Sequence, residues 1–249
     1  NEVRKLADGQ TLIDGLNAIE IGEPLAYFRG AEYAGVDPAN GDALFYRNTK
    51  DENGNIIDRS TTNNFNEATF VNIGNPTPDF VGGMSHNFSY KGIELGFTVQ
   101  LATGHQIMNQ AGRFQESPGW FDNQSISQLD RWQQPGDITD VPRLVFLGGN
   151  GDQERNSRYV QNASYLKMRD ITLGYRFPSK ILDKLKMSSL RVYVSARNLF
   201  TITGYDGWDP EVTRDDGTTA TNVSNINIGT DFYSAPLPRS FTFGVNFGF

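Results

Sequence analysis

Arg239-Ser-Phe-Thr-Phe-Gly-Val-Asn-Phe-Gly-Phe249 alternates without a break. Phe241, Phe243, Val245, Phe247 and Phe249 fall on one side, and Ser240, Thr242, Gly244, Asn246 and Gly248 on the other. Side chains of an extended chain alternate with period two, so this stretch reads as a strand with one strongly aromatic face and one face of small polar residues. The pattern recurs upstream. Ile93, Leu95, Phe97, Val99 and Leu101 oppose Glu94, Gly96, Thr98 and Gln100. Ile171, Leu173, Tyr175 and Phe177 oppose Thr172, Gly174 and Arg176; Leu190, Val192, Val194 and Ala196 oppose Arg191, Tyr193, Ser195 and Arg197. Phe80–Tyr90 pairs with the segment after it through the short turn Tyr90-Lys-Gly92, and Leu25–Ala34 reads as a weaker strand. The expectation is an all-β chain of about six antiparallel strands.

The connections alternate in length. Tyr90–Gly92 and the stretch Pro178–Ser189 are short, the latter holding a helical turn capped by Ser179. Residues 35–78, 104–163 and 203–237 are very long links. Short turns at one end and long loops at the other fit a transmembrane β-barrel, with short periplasmic turns and long extracellular loops. On that reading Ile93, Leu95, Phe97, Leu173, Val192, Val194, Phe241, Phe243 and Phe247 face lipid, while Glu94, Arg191 and Arg197 are charges facing the lumen. The alternative is a soluble or surface-exposed β-sandwich that binds glycans. A sandwich, however, shows water a face rich in Lys, Glu and Thr, where this chain has Gly, Ser, Thr and Asn.

Composition narrows the function. Among 249 residues there are 17 Phe and 10 Tyr, too many aromatics for a disordered chain. The net charge of −7 and the lack of a long basic run exclude nucleic acid as a partner. With no Cys and two His (His86 and His105), disulfides, thiolate chemistry and the usual zinc sets are not expected, nor is any cofactor or metal. No GxSxG, P-loop or HExxH motif occurs, so an enzyme is not expected. A glycosidase built on loop carboxylates is the enzymatic rival. No apolar run is long enough for a membrane-crossing helix, which leaves barrel strands untouched. Residues 1–20 are polar and carry no leader pattern, as in a mature exported protein or a piece of one.

The long links hold the candidate ligand-binding aromatics Trp120, Phe121, Trp132, Tyr205 and Trp208, whose rings can stack on sugar faces or pin loops to one another. Ser125–Gln133 reads as a short loop helix. Asp206, Asp209, Glu211, Asp215 and Asp216 form an acidic loop that holds a cation or is simply solvated. Asp51, Asn53 and Asn55 mimic the start of a calcium loop, but Ile56 and Thr62 stand where that loop needs Gly and Glu. An Asn-Gly hairpin turn between residues 41–46 and 51–57 is the better reading.

Several stretches together resemble the SusC/RagA-like family of TonB-dependent outer-membrane transporters. They are Gly22-Glu-Pro-Leu-Ala-Tyr-Phe-Arg-Gly30, Ile73-Gly-Asn-Pro-Thr-Pro-Asp-Phe80, Ser164-Tyr-Leu-Lys-Met-Arg-Asp-Ile-Thr-Leu-Gly-Tyr175, Arg197-Asn-Leu-Phe-Thr201 with Tyr205-Asp-Gly-Trp-Asp-Pro-Glu211, and Pro238-Arg-Ser-Phe-Thr-Phe-Gly244. Their order spans nearly all of residues 1–249, which the resemblance implies are the C-terminal part of such a barrel. It further implies a Gram-negative outer-membrane location, import of oligosaccharides or peptides, a SusD-like lipoprotein lid, surrounding outer-membrane lipid, and energy from TonB through an N-terminal part. No plug or TonB-contact segment is matched here. About six strands cannot close a barrel of about 22, so the resemblance implies a portion of a longer chain.

Overall fold

The computed structural model describes residues 1–7, 9–116, 123–146, 155–211 and 226–249. The chain divides into two compact units. One holds the sheet read from the sequence: Phe80–Tyr90 (β1), Ile93–Thr103 (β2), Tyr165–Arg176 (β3), Ser189–Arg197 (β4), Thr201–Thr203 (β5) and Ser240–Gly248 (β6). The order is β6-β4-β3-β2-β1, with β5 also pairing with β3. All neighbours are antiparallel. Among the described residues the sheet is open, with β1 and β6 at its edges.

The ladder confirms one face per alternation, because directly paired residues in an antiparallel sheet share a side. Phe88 pairs with Leu95, Leu95 with Leu173, Leu173 with Val194, and Val194 with Phe243. That row runs unbroken across five strands. The opposite face repeats the logic with Ser89, Glu94, Gly174, Tyr193 and Gly244.

Two readings change at the strands. β3 is longer at its start than the alternation shows, because a β-bulge between Met168 and Asp170 adds a residue and shifts the phase. The Leu25–Ala34 stretch is not a sixth long strand of this sheet. It divides into Tyr27–Ala31 and Tyr33–Val36, which belong to different small sheets of the other unit. Tyr27, Phe28 and Ala31 are all buried, and burial on both faces erases alternation.

The short connections form as expected. Lys91 and Gly92 turn the chain with φ of +47° and +89°. Ser179–Leu185 is helical, but Pro178 rather than Ser179 occupies the N-cap, and no side chain caps it. A fixed φ makes proline acceptable at a helix start.

The other unit comprises residues 1–77, 105–162 and 211–234. The long links are therefore not simple loops. A four-stranded sheet joins Leu12–Asp14, Asn17–Ile19, Tyr27–Ala31 and Phe70–Gly74, and Tyr33–Val36, Ala43–Lys50 and Ile56–Thr62 form a second, three-stranded sheet. Leu16, Phe28, Met108 and Tyr159 make one core cluster; Ala31, Ala43 and Phe45 make another, edged by Tyr33 and Phe65. The Asp51–Asn55 turn is a hairpin bend. Asp51 accepts the Asn53 and Asn55 N–H groups at 2.9 and 2.8 Å and the Asn55 amide at 3.1 Å. Those donors occupy the carboxylate that a calcium loop would turn to the ion. Ser125 caps a 3-10 turn over Ile126–Asp130 where a short helix is expected.

Candidate functional site

The polar face of the sheet carries an ordered set of side-chain pairs. Small residues leave room there, and the charged ones reach across the strands. Near the turn end, Glu94 of β2 accepts from Arg191 Nε at 2.7 Å and from Arg176 Nη2 at 2.7 Å. The three charges sum to +1. Thr172 and Ser195 are joined at 2.9 Å, and Ser85 and Thr98 at 3.0 Å. Tyr193 lies over Gly244, its direct ladder partner, and Arg191 sits 4.8 Å from the Tyr193 ring centre. A Cβ at residue 244 would overlap that ring. A groove of about 390 Å³ follows this face between Ser85, Asn87, Glu94, Thr98, Asp170 and Arg191.

Towards the other end the face becomes tightly engaged. Arg169, at the bulge, donates to Gln100 Oε1 at 2.7 Å, and Gln100 reaches the Tyr165 hydroxyl at 3.3 Å. Lys167 is 1% exposed and donates to both oxygens of Asp209 at 2.8 and 3.0 Å; Asp209 is 5% exposed. The loop after β5 is thereby fixed to the strand face. A buried ion pair is tolerated only where geometry and further hydrogen bonds offset lost hydration, and the two-oxygen contact meets that condition.

The residues singled out in the sequence are placed as follows. Glu94 and Arg191 share one ion-pair cluster. Arg197 is exposed on the same face, opposite Asp170 in the ladder. Trp208 is 72% exposed, whereas Tyr205 is buried beside Gly207. Trp132, in the other unit, rests on Gly41 and donates to the Pro38 carbonyl at 3.2 Å. Around it Arg143 meets Asp42 at 2.9 Å. Asp137 accepts from the Gln133 and Gln134 N–H groups, which hold its carboxyl below the usual range. Trp132 thus pins its own loop. Trp120, Phe121, Asp215 and Asp216 lie outside the described residues. Asp209 leaves the acidic-loop group, since Lys167 engages it.

On the reverse side the apolar face is open. Phe243 is 81% and Phe249 84% exposed, and Phe88, Ile93, Leu173, Phe241, Val245 and Phe247 are each about half exposed or more. His86 also lies on that face, stacked on Phe88 with centroids 5.7 Å apart. Water-soluble proteins rarely leave such a contiguous surface bare.

Known proteins place this architecture. TonB-dependent receptor P3 of Formosa agariphila is 31% identical over the whole chain, which covers 26% of that receptor. TonB-dependent receptor SusC of Bacteroides thetaiotaomicron is 26% identical over 98% of the chain, covering 22% of SusC. The chain belongs to the SusC/RagA-like TonB-dependent receptors. A chain of the RagAB peptide importer in a closed-closed state superposes with a TM-score of 0.79 at 27% identity, over 100% of this chain and 26% of that one. No family model matches. This SusC/RagA-like chain spans about a quarter of the length of the relatives it matches.

Two features of this receptor segment escape sequence reading. Lys167 and Asp209 stand 42 residues apart, and only the chain's return past β5 joins them. Arg176, the third member of the Glu94 cluster, sits in phase on the polar face of its strand, and that phase was the available signal.

Proposed function

We propose that this chain forms part of the membrane-spanning wall of an outer-membrane nutrient importer. The apolar face meets lipid and the polar face lines the lumen. A SusD-like lipoprotein covers the extracellular side, TonB supplies energy through another part of the protein, and the cargo is an oligosaccharide or peptide. No catalytic role is proposed. The observation that carries this reading is the row from Phe88 to Phe243, apolar and open across five strands, backed by ion pairs and glycines. The relatives, TonB-dependent receptors and a peptide importer, support import in general, and peptide is the cargo of RagAB. A soluble sandwich would need a second sheet over the apolar face; among the described residues of this unit there is none. Substrate contact is assigned to the loop aromatics Trp120, Trp132 and Trp208, Trp132 through the part of its ring that its seat on Gly41 leaves accessible.

The test places an arginine on each face of the same strand in the full-length receptor. Phe243→Arg should lower the stability of the inserted state by roughly 2–4 kcal/mol and deplete the receptor from outer membranes. Thr242→Arg, on the polar face, should insert normally. Normal insertion of both variants would overturn the facing. Uptake that survives replacement of all three loop tryptophans, Trp120, Trp132 and Trp208, would remove the aromatic assignment.

A further inference from the structure

The turn end of the sheet carries a basic rim that the transport reading leaves unused. The chain as a whole is acidic, yet residues 176–191 hold five basic side chains (Arg176, Lys180, Lys184, Lys186 and Arg191) and one acidic, Asp183. Arg176 and Arg191 are engaged by Glu94 on the polar face. Lys180, Lys184 and Lys186 are exposed, as is Lys91 in the neighbouring turn. Among the described residues none of these four lysines forms a salt bridge. Lys91 instead lies 5.1 Å from the Tyr90 ring centre.

Connectivity keeps the four on one rim. The Gly92 carbonyl accepts from Arg176 N–H, Phe177 N–H donates to Leu190, and Ser188 N–H donates to Gly248. The β1–β2 turn, the Ser179–Leu185 helix and the end of β6 are therefore neighbours along it. Apolar surface continues onto the rim. Tyr175 and Phe177 are edge-to-face at 5.0 Å, and Phe247 and Phe249 at 5.6 Å. Ile181 and Leu185, four residues apart on one helix side, are both exposed. Lys180 and Lys184 repeat that spacing beside them. Two of the lysines also sit where lysine is unfavourable: Lys91 and Lys186 have φ of +47° and +55°, a left-handed conformation better suited to Gly or Asn. A charged side chain at a backbone position that disfavours it points to a use for the charge.

We propose that this rim docks anionic phospholipid headgroups of the leaflet at the turn end. The inference rests on the membrane-wall reading above. Aromatic rings and the Ile181/Leu185 pair lie at the acyl boundary, and the four ammonium groups reach the phosphates, the arrangement that anchors interfacial amphipathic helices.

The test uses the full-length receptor, with vesicle partitioning as the first readout and native mass spectrometry of retained lipid as the second. Vesicles and mixed micelles alike contain equal phosphatidylglycerol and phosphatidylcholine. The unmodified receptor should retain phosphatidylglycerol in about tenfold preference. The K91N/K180Q/K184Q/K186N variant, which puts Asn at both left-handed positions and so favours folding, should fall to parity. Replacing the same four lysines with arginine should keep the preference. Parity in the unmodified receptor, an unchanged preference in the Asn/Gln variant, or displacement of the lipid by millimolar inorganic phosphate would overturn the lipid assignment alone. Failure of the receptor to enter vesicles of either lipid would overturn the wall reading and this inference together.

Discussion

Removing the Lys167 ammonium tests whether the loop after β5 is held by charge. Lys167→Met keeps the length of the side chain and deletes the cation. Asp209 is then left 5% exposed, with its two oxygens stripped of the donor that stood at 2.8 and 3.0 Å. Breaking one side of a buried pair costs about 3–5 kcal/mol, because the surviving carboxylate loses the ammonium that offset its burial. The loop from residue 204 to 210 has a cheaper route than global unfolding, which is to lift Asp209 into water. Backbone hydrogen exchange at residues 203–209 should therefore accelerate at least about 100-fold, the equivalent of some 3 kcal/mol, while β4 and β6 keep their protection. The double variant Lys167→Met/Asp209→Leu removes both charges and should restore most of that protection. If the single variant protects the loop as well as the parent does, the pair holds nothing. If the double variant is as open as the single, the loss came from packing of the lysine stem and not from charge.

Three further outcomes follow from geometry already given. Gly244→Val should destabilise the β4–β6 pairing by about 1–3 kcal/mol, since Tyr193 occupies the space; adding Tyr193→Ala should recover part of it, measured by urea unfolding from micelles. Gly41→Ala should cost about 1–2 kcal/mol from its φ of +79° alone and displace Trp132, seen as a red shift in its fluorescence with Trp120 and Trp208 replaced. The Asp51 hairpin should loosen in acid. Hydrogen bonds from the Asn55 side chain and backbone hold the Asp51 carboxyl below its ordinary value of 3.8, so its contribution is complete above about that pH and is lost as pH falls through the lower folded value. Protection of the Asn53 and Asn55 amides, taken relative to the intrinsic exchange rate at each pH, should fall over that range in the parent and stay flat in Asp51→Ala.

The long-stranded sheet was legible because its two faces differ in kind. One side is apolar and the other small or polar, so β2, β4 and β6 could be read to within a residue or two. The same rule fails wherever both sides are covered. Tyr27 and Phe28 are both buried, and no alternation survives there to mark a short strand with its own bulge. At β3 the bulge puts Leu166 and Met168 out of phase with Ile171 and Leu173, so its first half was lost. The polar charges Glu94 and Arg191 were visible because they break a face of small residues. Lys167 breaks it too, but its partner lies beyond two strands and a loop, a distance no local pattern encodes. The Trp132 seat on Gly41 was hidden for the same reason.

The two faces also divide the work of specifying the sheet. Sliding β6 by one residue along β4 would turn Phe241, Phe243 and Phe247 inward, a large loss that the apolar face alone forbids. Sliding it by two would keep every phenylalanine on the apolar face, and that face, apolar at every position, would barely register the change. The polar face registers it at once. Tyr193 would leave Gly244 and meet Thr242 or Asn246, whose side chains fill the space its ring needs. A two-residue slip of β2 against β3 likewise moves Glu94 away from Arg176 and Arg191. The apolar face thus decides which side of each strand looks outward, and the polar face decides where each strand stops along its neighbour. A sheet whose apolar face is nearly featureless can hold one register only because its polar face is not.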